Sequence, residues 1–278
     1  MPRQAELTGV PFFPQQDYQC GPAALASALN AAGAQITPDE LKPEVYVPRR
    51  QGSLQLEMLA AARRHGFIAY PLAPRVEDLL AEVANGTPVI VLQNLGLSWI
   101  PVWHYAVVAG YDLEREEIIL RSGAEPRQIL PMNTFLHTWQ RGGSWAMLAL
   151  PPGKLPASAA QQTYLDAALA LEKTGPPNAA LGAYQTAARH WPENLAAWIG
   201  LGNVHYVLEN KHAAEAAFRT ATLRHPESAA AFNNLAQVLL EQGKHEEALQ
   251  AARQAVALAG PYHATALETL HSIETPAR

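Results

Sequence analysis

The sequence predicts an α+β domain followed by an all-α repeat domain, and three observations carry the prediction. Helix-like segments precede short β-branched runs between Gly9 and Leu150, an α+β ordering. A proline-rich stretch without a periodic apolar face follows, and beyond it residue types recur with the step from Ala187 to Ala221 to Ala255. At 278 residues the chain is long for one core and comfortable for two domains.

In the first half, "CGPAALASALNAAGA" reads as a helix opening at Cys20 or Gly21. Pro22 falls in its first turn, where a missing N–H costs nothing, and Gly33 stops it. "SLQLEMLAAARRHG" is a second helix, with Ser53 as N-cap and Gly66 as the stop. "VEDLLAEVANG" is a third, acidic in its opening turn, and leads into "TPVIVLQNL", an apolar run short and β-branched enough to be a buried strand. "HYAVVAGYD" and "EIILRSG", separated by "LERE", make a hairpin, and "SWAMLAL" is the last strand. The first domain is therefore placed at 1–150 and a linker, "PPGKLPASAA", at 151–160.

Residues 161–278 form the helical domain, laid out as units 161–194, 195–228 and 229–262 with a final capping helix, "ATALETLHSI". Tyr164, Trp198 and Phe232 keep the period of the three alanines, as do Ala180, Ala214 and Ala248, and Pro192 and Pro226. Small residues at Gly202, Ala214 and Ala221 let paired helices approach closely while the aromatics fill the space between units. The pattern resembles the tetratricopeptide repeat, which implies a concave groove that binds a protein partner.

Composition excludes several function classes. A net charge of -5 with no basic stripe argues against nucleic acid as a partner. One cysteine rules out an internal disulfide and a Cys-rich zinc site. No apolar run is long enough to be a transmembrane segment. "MPRQAELTGVPFF" lacks the pattern of a secretion signal, so the expectation is a cytoplasmic protein or a sequence that begins after a removed leader.

The single cysteine is the sharpest feature. Cys20 stands at a helix start, where unpaired backbone N–H groups and the positive end of the helix dipole favour a thiolate. Among the histidines, His104 is singled out because it follows "LGLSWIPVW" and opens a strand, placing its ring at a sheet edge beside an apolar cleft. Trp99 and Trp103 are read as core or cleft wall.

"VPFFPQQDYQCGPAAL" followed by "WHYAVVAGYD" resembles the C39 branch of the papain-like cysteine peptidases, whose members cut leader peptides, often after a double glycine. The resemblance covers about residues 9 to 150 and implies a papain-like α+β fold. It further implies attack by the Cys20 thiolate on a peptide carbonyl, with His104 taking and returning the proton. An upstream glutamine, Gln15 or alternatively Gln16, would assist the Cys20 N–H at the oxyanion. The family's third residue is acidic; here Ser122 takes its place, with Asp112 at the wrong end of the strand and Glu125 nearby in sequence. Two readings stay open: a cysteine peptidase whose repeats recruit a substrate or partner, or an inactive peptidase-fold scaffold that binds peptides or proteins. The resemblance implies no cofactor and no metal, and favours a periplasmic or lipid-anchored bacterial setting, with the cytoplasm as the alternative.

Overall fold

The computed structural model describes residues 1–14, 19–258 and 260–275. Gln15 and Gln16, the two oxyanion candidates, lie outside the described residues. The chain divides into two compact units, Met1–Ala179 and Ala180–Arg278.

The first unit opens with β1 (Gln4–Glu6), α1 (Cys20–Ala31) and α2 (Pro38–Val45). A small hairpin follows, β2 (Tyr46–Val47) and β3 (Gly52–Ser53), joined by a 3-10 turn at Pro48–Arg50. Next come α3 (Gln55–Arg64), β4 (Ile68–Pro71), α4 (Val76–Ala84), β5 (Val89–Asn94), β6 (Trp103–Asp112) and β7 (Glu117–Ser122). The unit continues through β8 (Glu125–Pro131), α5 (Met132–Arg141), β9 (Ala146–Leu150) and α6 (Gln161–Thr174). A seven-stranded sheet runs β4-β9-β5-β6-β7-β8, with β1 paired to β6 as well, and every pairing is antiparallel.

Every residue of β5 is buried, which explains the apolar run from Val89 to Leu92: both faces of the strand are covered. On one face Leu25 and Leu29 of α1 share a core with Ile90, Leu92, Tyr105 and Val107. On the other, Gln93 Nε2 donates to Thr138 Oγ1 of α5 at 2.6 Å. The register sets Leu92 opposite Tyr105 and Gln93 opposite His104, so the start of β6 is fixed against the centre of the sheet.

Two helices and five strands exceed the sequence expectation. Thr37 and Glu40 form a reciprocal capping box that starts α2, with Pro38 in its first turn; Pro43 inside the helix masks the signal in the sequence. The short α5 buries Phe135, Thr138 and Trp139. The strands β4 and β8 carry too little alternation to be read alone. One expectation is corrected: Ser53 does not cap α3. It belongs to β3, the N-cap position is Leu54 with no side-chain cap, and the Ser53 carbonyl instead accepts from Tyr105 Oη at 3.2 Å. Residues 151–160 contain no helix or strand, yet they are anchored through the fully buried Glu82 of α4. Its carboxylate accepts from the backbone of Ala157 and Ser158 at 3.1 and 2.8 Å and from Ser158 Oγ at 2.7 Å.

All-helical structure follows: α7 (Pro177–His190), α8 (Leu195–Val207), α9 (Lys211–Arg224), α10 (Ala229–Glu241), α11 (His245–Ala257) and α12 (His263–Glu274). Three starts are capped by side chains, Asn194, Asn210 and Ser228, each accepting from the backbone N–H three residues on. Asn194 and Ser228 keep the repeat period, so part of the periodicity is a periodicity of helix starts. Gly202 lies so close to the Phe218 ring that an added Cβ would sit 2.3 Å from it. In α12, Ile273 is buried in the core formed by α10 and α11.

Within this unit Glu215 is 7% exposed and receives Lys244 Nζ at 2.6 Å, Arg219 Nε at 2.9 Å and Gln242 Nε2 at 2.9 Å. Burial alone would raise its pKa, but these donors together lower it to about 2. A depressed carboxylate contributes stability above its unfolded value and loses it as pH falls toward the folded one. Glu215→Gln is therefore expected to destabilise the helical unit by about 2 kcal/mol at neutral pH, with its cationic partners partly resolvated. Urea titrations followed by circular dichroism should show the difference from wild type shrinking as the pH is lowered from about 5 to 3.

Candidate active site

Cys20 is the first residue of α1, and the helix start explains the sulfur's surroundings. Pro22 has no N–H to offer, so Cys20 and Gly21 supply the unpaired donors of the first turn. Hydrogen bonds from the backbone of Tyr105, Gly21 and Cys20 itself act to lower the thiol pKa, but burial is the larger influence and leaves it raised. The helix start therefore does not deliver the resting thiolate that the sequence suggests; desolvation outweighs it. Gly21 is required sterically, since a Cβ there would lie 2.2 Å from Ser53 Oγ.

The contact with Tyr105 locates the histidine. The amide nitrogen of Tyr105 is bonded to the carbonyl carbon of His104, so a sulfur close enough to feel the Tyr105 backbone is close to His104 as well. Both residues line one cavity of about 960 Å³. The His104 ring is held from its far side, with Nε2 2.9 Å from Ser122 Oγ. That contact leaves Nδ1 for the thiol. Burial lowers the His104 pKa, so thiol and imidazole both rest in their neutral forms near pH 7. No hydrogen bond joins the sulfur to the ring among the described residues; in unliganded enzymes such bonds commonly tighten only when substrate arrives.

The other predicted residues fall as follows. Ser122 is buried and is the ring's partner. Asp112 accepts from the backbone of Glu114 and Arg115 in the β6–β7 turn, away from the ring. Glu125 is exposed at the start of β8. Trp99 is not core: it is 75% exposed, and Trp103, 55% exposed, lines the cavity mouth.

Sequence reasoning missed the rest of the cavity wall. Arg50 and Ser53 reach it from the β2–β3 hairpin, and Arg141, Gly142 and Gly143 from the end of α5. Ser53 Oγ is buried with no hydrogen-bond partner among the described residues. The only sequence signal for the hairpin was "RQGS", a turn-rich stretch ahead of a helix. For the α5 residues it was the glycine pair "GG" after an amphipathic decapeptide.

An antiparallel sheet crossed by a helix that begins with cysteine, with a histidine opening the neighbouring strand, defines the papain-like class of α+β domain. The chain belongs to the Peptidase_C39 like family, whose sequence model matches residues 7–147. Tetratricopeptide repeat models match residues 165–211 and 205–263. No curated protein matches the chain significantly. Among solved structures, a protein described as a C39-like peptidase from Bacillus anthracis is 19% identical, with a TM-score of 0.45, covering 54% of this chain and 98% of its own. The Yersinia enterocolitica type III secretion chaperone SycD, in complex with a peptide of the translocator YopD, is 15% identical with a TM-score of 0.39, covering 41% of this chain and 91% of its own. The first tetratricopeptide domain of Spaghetti, bound to the HSP90 peptide SRMEEVD, is 18% identical with a TM-score of 0.39, covering 41% and 90%.

Proposed function

We propose that the chain is a cysteine peptidase whose helical repeats recruit a protein substrate or partner. Cys20 Sγ attacks the carbonyl carbon of a scissile peptide bond as its proton passes to His104 Nδ1. The carbonyl oxygen becomes an oxyanion facing the Cys20 N–H at the helix start, with Gln15 as the side-chain donor carried over from the family resemblance. His104 returns the proton to the leaving amine, and water, deprotonated by the same ring, releases the acid and restores the thiol. Ser122 holds the ring in place by accepting from Nε2–H, the tautomer that leaves Nδ1 free to act as base.

The observation that supports this reading most is Cys20 and His104 on one cavity wall, the thiol close to the Tyr105 backbone and the ring's outer nitrogen taken by a buried hydroxyl. Mass spectrometry after treatment with a peptidyl chloromethyl ketone tests it. One adduct per native chain is expected, on Cys20, absent in Cys20→Ala and much slower in His104→Ala. Labelling of the urea-unfolded chain alone would instead favour the second reading, a scaffold that binds peptides without cutting them; the missing carboxylate at position 122 is what keeps that reading in play.

A further inference from the structure

The cavity wall carries a charge bias opposite to that of the whole chain. The protein has 25 acidic residues against 20 basic ones, yet no carboxylate lines the cavity among the described residues, while Arg50 and Arg141 both do. Neither arginine forms an ion pair among the described residues; every arginine pair is made elsewhere. Arg141 is nevertheless held in place. Its Nε and Nη2 donate to the Asn94 carbonyl at 3.3 and 3.2 Å, which fixes the guanidinium plane and leaves Nη1 without a partner among the described residues. Arg50 arrives from a separate segment, at the end of the 3-10 turn in the β2–β3 hairpin. The same wall carries apolar side chains, Leu54, Leu92, Val102 and Trp103, three of them more than a third exposed, together with Gln51, Ser53 and Gln55.

From this wall we infer, on top of the peptidase reading above, that the site selects peptides carrying a carboxylate next to a large apolar side chain. A guanidinium held by a backbone carbonyl is preorganised for a carboxylate, so the ordering cost is met before the peptide binds. The apolar side chains of the same wall exclude water from the interaction as the peptide seats, which strengthens it.

Binding to the Cys20→Ala protein tests the inference without requiring catalysis. The probes are two fluorescein-labelled octapeptides, identical in alternating Phe positions and differing only in Glu or Gln between them, with amidated C-termini, read by anisotropy at low salt. The Glu peptide is expected to bind about tenfold more tightly, a gap that narrows as salt is raised. Arg141→Gln should remove most of that gap and Arg50→Gln part of it. The same Gln peptide with a free C-terminus separates a terminal carboxylate from an acidic side chain as the recognised group. Equal binding of the Glu and Gln peptides, binding of neither, or a preference that survives both arginine substitutions overturns the inference. Chloromethyl ketone labelling of the wild-type chain reports separately on the peptidase reading, so either can fail alone.

Discussion

His104→Ala is expected to slow peptide hydrolysis by about 10³-fold or more while leaving the far-ultraviolet circular dichroism unchanged. The size follows from the resting charges. A thiol already ionised would keep much of its nucleophilicity without a base, but burial holds the Cys20 thiol above its ordinary pKa and holds the imidazole below its own. Attack therefore depends on a proton transfer at the moment of reaction, and the ring is the neutral base in the described wall, since Tyr105 there is a phenol already donating to the Ser53 carbonyl. The same charges set the pH profile. For the wild type, kcat/KM should rise as pH increases through the depressed His104 value, somewhat below the usual histidine range. It should fall only above the ordinary cysteine range, once the thiol is lost and the ring can no longer be protonated by it. A profile rising near pH 4 and falling near pH 8.5 would instead mean a resting thiolate–imidazolium pair, and the burial argument would be wrong.

What was legible in the sequence was what local chemistry controls. The helix of Cys20 announces itself through Pro22 in the first turn and Gly33, which adopts a φ of +101° just past its end. The strand that carries His104 shows because β6 is a long, mostly apolar run with the histidine second in it. Repeats are the most legible part, since small residues recur at the position of Gly202 and caps at those of Asn194 and Ser228, with the helices they serve. The rest depends on contacts between distant segments. Ser53 looks like an N-cap because serine before an apolar helix usually is one; its pairing with Tyr46 across β2–β3 takes it out of that role. Arg141 belongs to a helix of three turns at most, and nothing local says that its guanidinium will find the Asn94 carbonyl. The ionisation of Cys20 is not legible for the same reason: the helix start is visible in sequence, but the burial that raises the thiol pKa comes from packing against the domain core.

Ser122→Asp is expected to raise the rate of hydrolysis at pH 7 by about ten- to a hundredfold, an uncommon direction for a substitution in a buried site. The hydroxyl at 2.9 Å from Nε2 can orient the ring but offers no charge to the imidazolium that forms when Nδ1 takes the thiol proton. A carboxylate at that position would stabilise the cation directly, raise the His104 pKa back toward or above its usual value, and through it lower that of Cys20. Iodoacetamide should then alkylate Cys20 faster at pH 7 in the variant, with the midpoint of its pH dependence displaced downward. A cost accompanies the gain. Ser122 is 6% exposed, so until the ring is protonated the new carboxylate is a poorly solvated charge, and a loss of about 1–3 kcal/mol in stability is expected. Rate and stability thus move in opposite directions, which distinguishes a residue acting on the ring's charge from one that merely packs against it. Ser122→Asn supplies the control: it preserves an acceptor without a charge, so it should change the rate little and leave the alkylation midpoint where it was. Should the aspartate variant prove no faster than the asparagine one, position 122 does not govern the ionisation of His104.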